Sequence, residues 1–179
     1  MRLLPVIAAA LLVPALLGAP SALRAADEPP DPSSKSELIR KGSGLPVPRF
    51  ASMRSDDVNV RAGPGTRYPV EWVFQRKNMP VEVISEFDTW RRIRDWQGAT
   101  GWVHQSMLTG KRTVVVTARE ASLLRTPETG APPVARLENS VQGSVLNCKG
   151  SFCRIEVEKH RGWIDRKSVW GIYPTETLD

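Results

Sequence analysis

Val81-Glu82-Val83-Ile84-Ser85-Glu86-Phe87-Asp88-Thr89-Trp90-Arg91-Arg92-Ile93-Arg94-Asp95-Trp96-Gln97-Gly98-Ala99-Thr100-Gly101-Trp102-Val103 decides the fold. Apolar residues alternate at Val81 and Val83, return at Ile93 after a polar turn, and return again at Val103 after Gln97 to Gly101. That pattern predicts three short antiparallel strands joined by tight turns. His104 to Leu108 then has the length of one helical turn, and Thr113 to Thr117 reads as a β-branched strand closing the module. Upstream, Ser55 to Thr66 reads as a strand running into a turn. Pro64 and Gly65 suit the central positions of a type II turn, the second of which needs positive φ. Glu71 to Phe74 is another short strand.

The same layout recurs. Trp90-Arg91-Arg92-Ile93 matches Phe152-Cys153-Arg154-Ile155, and Gly101 to Leu108 matches Gly162 to Val169 with one residue lost between them. Val60-Arg61 matches Leu124-Arg125. Two modules of roughly 60 residues follow from this repeat, joined near Ala118 to Ala121.

Outside the modules the chain changes character. Apart from Met1-Arg2 at its start, the stretch up to Leu23 is uncharged and rich in Leu, Ala and Val, and small residues stand at Ala22, Ala25 and Ala26. A signal peptide over residues 1–26, cut near Ala25 or Ala26, is the expectation. The alternative is an uncleaved membrane anchor, against which Pro5, Pro14, Gly18 and Pro20 argue. Residues 27–49, rich in Pro, Ser and charge, read as a flexible linker with too little apolar surface to offset the entropy of ordering. The modules are then residues 50–118 and 119–179. A periplasmic or secreted protein is implied.

Loss of the leader removes Arg2 and Arg24, lowering Lys plus Arg from 25 to 23 against 19 acids, a balance of +4. That is mildly basic and gives no nucleic-acid arm. Contact with a membrane is expected only through an uncleaved leader. The two cysteines, Cys148 and Cys153, lack the partnering His pair of a zinc site. In an exported chain they read as a disulfide pinning a hairpin, with two buried thiols as the alternative. In the repeat they occupy the positions of Glu86 and Arg91, so a cross-strand ion pair in one copy replaces a bridge in the other.

No catalytic set emerges. His104 and His160 have no thiol or serine motif to serve, no metal-ligand spacing occurs, and Asp56-Asp57 and Glu86/Asp88 are ordinary turn carboxylates. An enzyme is not expected, nor a cofactor or metal. His104 reads as a packing or capping residue. The candidate ligand-binding residues are Trp90, Arg92, Arg94 and Trp96, which alternation places opposite Ile93, extended by Tyr68 and Trp72. Two Trp flanking two Arg offer stacking surfaces and fixed charge for carboxylates on a glycan or peptide. The competing reading packs this face against the second module, Arg stems covering the rings. Trp170 reads as a plug in the second barrel.

Val58-Asn59-Val60-Arg61-Ala62-Gly63-Pro64-Gly65-Thr66, Trp90 to Ile93 and Gly101 to His104 together resemble the bacterial SH3-like (SH3b) domain. The resemblance covers about Ser52 to Arg112, and less fully the second copy, where Ser122 to Pro127 lacks the Gly-Pro-Gly turn. It implies an all-β fold of two small, partly open barrels in tandem after a signal peptide and linker, with Trp102 and Trp163 at the position of the family's core Trp. It also implies a non-catalytic envelope module that binds peptidoglycan or an envelope protein, or an adaptor that tunes a cell-wall hydrolase without wall affinity of its own. The acidic loop and Trp pair of eukaryotic proline-binding SH3 domains are not matched.

Overall fold

The computed structural model describes residues 42–178, so the leader and the linker up to Lys41 lie outside the described residues. The first sheet holds β1 (Arg49–Met53), β2 (Val58–Arg61), β3 (Val70–Phe74), β4 (Pro80–Phe87), β5 (Trp90–Arg94), β6 (Thr100–His104) and β7 (Leu108–Thr109). The second holds β8 (Thr113–Val116), β9 (Glu120–Leu124), β10 (Pro133–Glu138), β11 (Gln142–Lys149), β12 (Phe152–Val157), β13 (His160–Asp165) and β14 (Val169–Trp170). Their orders, β3-β2-β6-β5-β4-β1-β7 and β10-β9-β13-β12-β11-β8-β14, are the same order twice. Every pairing is antiparallel, and neither sheet closes: β3, β7, β10 and β14 remain edges. These are the two partly open all-β barrels that the resemblance implies, one for each copy of the repeat.

The alternation that defines the opening stretch sets the first core. Val81, Val83, Ile93 and Val103 are fully buried together with Met53, Val58 and Val60. Leu123, Ile155 and Ile164 are their counterparts in the second core. A single 3-10 turn, Gln105–Met107 or Arg166–Ser168, precedes the last short strand of each sheet. Asp165 caps the second of these by accepting from the Lys167 N–H at 2.9 Å, and His104 takes the same position in the first.

Three expectations are corrected. The strand Thr113–Val116 does not close the first module. It pairs with β11 and β14 and opens the second, in the place β1 holds in the first. All four of its residues are buried, because one face meets the second core and the other meets the first module, so it has no alternation to read. The linker gains order before its expected end. Arg49 is already in β1, and the Ser43 N–H and hydroxyl bond the Glu86 carboxylate at 2.6 and 2.8 Å. Finally, Gly65 does not have positive φ. Its N–H donates to Gly63 O at 2.9 Å, a three-residue turn centred on Pro64, whose ring fixes a suitable φ.

The modules pack on each other through a continuous junction. Phe50 meets Trp170 edge-on with ring centroids 4.9 Å apart and Tyr173 at 4.6 Å. Trp170 is thus not a plug in the second barrel. The Tyr173 hydroxyl donates to Glu82 at 2.8 Å, and Arg112 forks onto Glu176 while donating to Gly171 O. Thr113, buried in the joint, donates to Asn78 O and meets the Ser52 hydroxyl.

Candidate functional site

β5 is half-covered at Trp90, buried at Arg91 and Ile93, and exposed at Arg92 and Arg94. Trp90, Arg92 and Arg94 therefore share the outer face, as alternation requires. Their neighbours on β6 are His104, Trp102 and Thr100 respectively. The Trp90 ring meets His104 edge-on at 5.5 Å, and Phe87, across from Trp90 on β4, is 52% exposed. Arg92 stands beside Trp102 and has no ion-pair partner among the described residues. This combination of half-exposed ring faces and an unneutralised guanidinium can stack on a flat group and hold an anion beside it.

The remaining predicted residues are distributed differently. Arg94 donates through Nε to Glu82 at 2.9 Å, and Glu82 is held in turn by Tyr173. The Arg94 end of the strand thus belongs to the module junction, while Trp90 and Arg92 look outward. Trp96 lies beyond the strand end, in a turn fixed by the Asp95 carboxylate, which accepts from the N–H groups of Gln97 and Ala99. Trp72 does not extend the patch. It sits opposite fully buried Val60, packs partly buried on the core and meets Phe74 at 6.5 Å. Tyr68 lies in the 62–69 loop, its ring over Gly63 with the Arg67 guanidinium 5.3 Å from the centroid. Arg61 anchors that loop by donating to Thr66 O at 3.1 Å and Tyr68 O at 2.8 Å.

Trp102 is corrected from core to outer face. Gly101 and Val103 are buried and Trp102 between them is not, so alternation from Val103 would have placed it. Trp163 is outward for the same reason. A cross-strand Arg–Trp pair is therefore present in both modules, Arg92 with Trp102 and Arg154 with Trp163.

Opposite each other at the ends of the paired hairpins stand Glu86 and Arg91 in one module, and Cys148 and Cys153 in the other. The ion pair is 3.0 Å long, and the cysteines form a disulfide. Burial pushes the Glu86 carboxyl up, but bonds from Ser43 and Arg49 outweigh it and hold the group below its ordinary value. No group of three or more His, Cys, Asp or Glu with metal-binding geometry occurs among the described residues. No helix among them is long and apolar enough to cross a membrane.

A relative from Bacillus subtilis (strain 168), named "Putative N-acetylmuramoyl-L-alanine amidase YrvJ", is 23% identical over 130 residues, covering 66% of this chain and 25% of its own length. NlpC2 from Trichomonas vaginalis shares 14% identity at a TM-score of 0.33, over 75% of this chain and 52% of its own. An NlpC/P60 family protein from Bacillus cereus shares 12% at 0.31, over 68% and 55%. The chain thus spans about a quarter of the curated relative and about half of these solved structures. The family model for the bacterial SH3 domain matches residues 54–110 and again 117–171, one copy for each sheet. With two matched copies covering more than half its length, this chain belongs to the bacterial SH3 domain family.

Proposed function

We propose that this chain is an exported, non-catalytic binding protein of the bacterial envelope that docks to peptidoglycan through the outer face of β5 and β6. The observation that carries the reading is Arg92, without an ion-pair partner among the described residues, set among the half-exposed rings of Trp90, Trp102 and His104. Peptidoglycan offers sugar faces and peptide carboxylates, which match stacking surfaces and a fixed cation. The amidase name of the relative supports the same target, since the bond it specifies joins the glycan to its peptide. Both cysteines are consumed in a disulfide, which leaves no thiol nucleophile and supports a binding role over catalysis.

The test is co-sedimentation of residues 27–179 with purified sacculi, beside a Trp90→Ala/Arg92→Ala variant whose fold is checked by circular dichroism. The parent chain is expected to pellet, and to pellet less as salt is added, because exposed charge contacts are screened. The variant is expected to lose about tenfold or more in affinity. Salt-independent pelleting would remove Arg92 from the site. A parent chain that stays in the supernatant would replace the reading with that of an adaptor for an envelope protein.

A further inference from the structure

The 62–69 loop of the first module and the 125–132 loop of the second have the same length and the same backbone bonds. Gly65 N–H donates to Gly63 O, Tyr68 N–H to Gly65 O and Ala62 N–H to Pro69 O. In the second loop Glu128 N–H donates to Thr126 O, Ala131 N–H to Glu128 O and Arg125 N–H to Pro132 O. Thr66 and Tyr68 therefore correspond to Thr129 and Ala131. The pairing moves the sequence match of Val60-Arg61 with Leu124-Arg125 by one residue: Arg61, opposite Trp102, corresponds to Leu124, opposite Trp163, and Ala62 to Arg125.

This correspondence exposes a vacancy. In the first module the Arg61 guanidinium donates to the carbonyls of Thr66 and Tyr68 and fills the nook between strand and loop. Leu124 has no donor to offer, and among the described residues no side chain donates to Thr129 O or Ala131 O. The neighbours shrink as well: Tyr68 becomes Ala131, Trp90 becomes Phe152, and His104 becomes Asp165. A surface cavity of about 340 Å³ results, lined by Leu124, Thr129, Ala131, Pro133, Phe152 and Asp165. Asp165 spends one oxygen on its cap and has no ion-pair partner among the described residues.

The geometry points to a binding site in the second module for an arginine side chain of a protein partner, its guanidinium taking the place that Arg61 holds in the first. A planar fork of five donors can satisfy both loop carbonyls and the Asp165 carboxylate together. Leu124, Pro133 and Phe152 provide an apolar wall for the methylene stem. An ammonium carries the charge without the fork, and an acidic group would be repelled by Asp165. The ligand class differs from that proposed for the first module, so the two faces divide the work: one for the wall, one for a protein.

The test is titration of ¹⁵N-labelled residues 27–179 with acetyl-Gly-Arg-Gly-amide, its lysine counterpart and its uncharged citrulline counterpart, followed by NMR. Saturable shifts at Thr129, Gly130, Ala131 and Asp165 are expected with the arginine peptide, weaker ones with lysine, and none with citrulline. Leu124→Arg, which supplies the guanidinium from within, is expected to abolish binding. Asp165→Asn should weaken it about tenfold, and it decides the matter if Leu124→Arg does not fold. Equal shifts with citrulline, unchanged binding by a folded Leu124→Arg or by Asp165→Asn, or no saturation with arginine would each overturn the proposal. The sacculi experiment bears on neither outcome, because the probe contains no glycan.

Discussion

Gly63 and Tyr68 act as a pair. A Cβ on Gly63 would lie 2.5 Å from Cδ1 of the Tyr68 ring, a separation no side chain can occupy. In the second module both members change, to Thr126 and Ala131, while the loop keeps its backbone bonds. The glycine is therefore demanded by the ring above it and not by its own φ. Gly63→Ala is expected to cost about 1–3 kcal/mol, the usual range for overpacking. Gly63→Thr combined with Tyr68→Ala should recover most of that loss in urea unfolding, since it reproduces the second module's solution. A double variant as unstable as the single would instead assign the glycine to the backbone. The Gly-Pro-Gly run is conspicuous in the sequence, but its reason is a contact five residues away.

At the scale of elements, two equivalent hairpins are locked by different chemistry, so they should fail under different conditions. The β4–β5 hairpin is tied by Glu86 to Arg91, Arg49 and Ser43. A carboxyl whose folded pKa is lowered contributes its full stability above its unfolded value, near 4.5, and loses it as pH falls through the folded value. Urea melts should show the advantage of the parent chain over Glu86→Gln shrinking below that pH. The β11–β12 hairpin is tied by the disulfide, worth about 2 kcal/mol for so short a loop in the chain-entropy model. Cys148→Ser/Cys153→Ser should lose that amount at neutral pH, and reductant should then have no further effect. A parent chain equally sensitive to acid with and without Glu86 would mean that the ion-pair cluster contributes nothing.

At the scale of the molecule, the clasp of Phe50 with Trp170 and Tyr173, and of Arg112 with Glu176, makes the two barrels mechanically one. Burial, and the Glu82 carboxylate it faces, push the Tyr173 phenol well above its ordinary range, so it remains a donor across the joint. Calorimetry should record a single transition for the parent chain, with calorimetric and van't Hoff enthalpies equal. Trp170→Ala, which removes the ring seated on Phe50, is expected to separate it into two. Two transitions in the parent chain would show that the barrels melt independently despite the contact.

The sequence by itself determined the central hairpin strands, the duplication, and the positional equivalence of Glu86/Arg91 with Cys148/Cys153, because alternation and offset are properties of the chain read locally. It also placed Trp90, Arg92 and Arg94 on one face, since parity within a strand needs no partner. Only the tertiary structure decided which neighbours that face has. Trp72 packs on the first core opposite Val60, Arg94 was claimed by Glu82 at the module junction, and Trp102 came to stand beside Arg92. The strand Thr113–Val116 passed to the second barrel for a related reason: a segment buried on both faces has no pattern to show which core it serves. Likewise the vacancy at Leu124 is visible only when Arg61 is seen bonded to its loop, for a missing occupant leaves no mark in the order of residues.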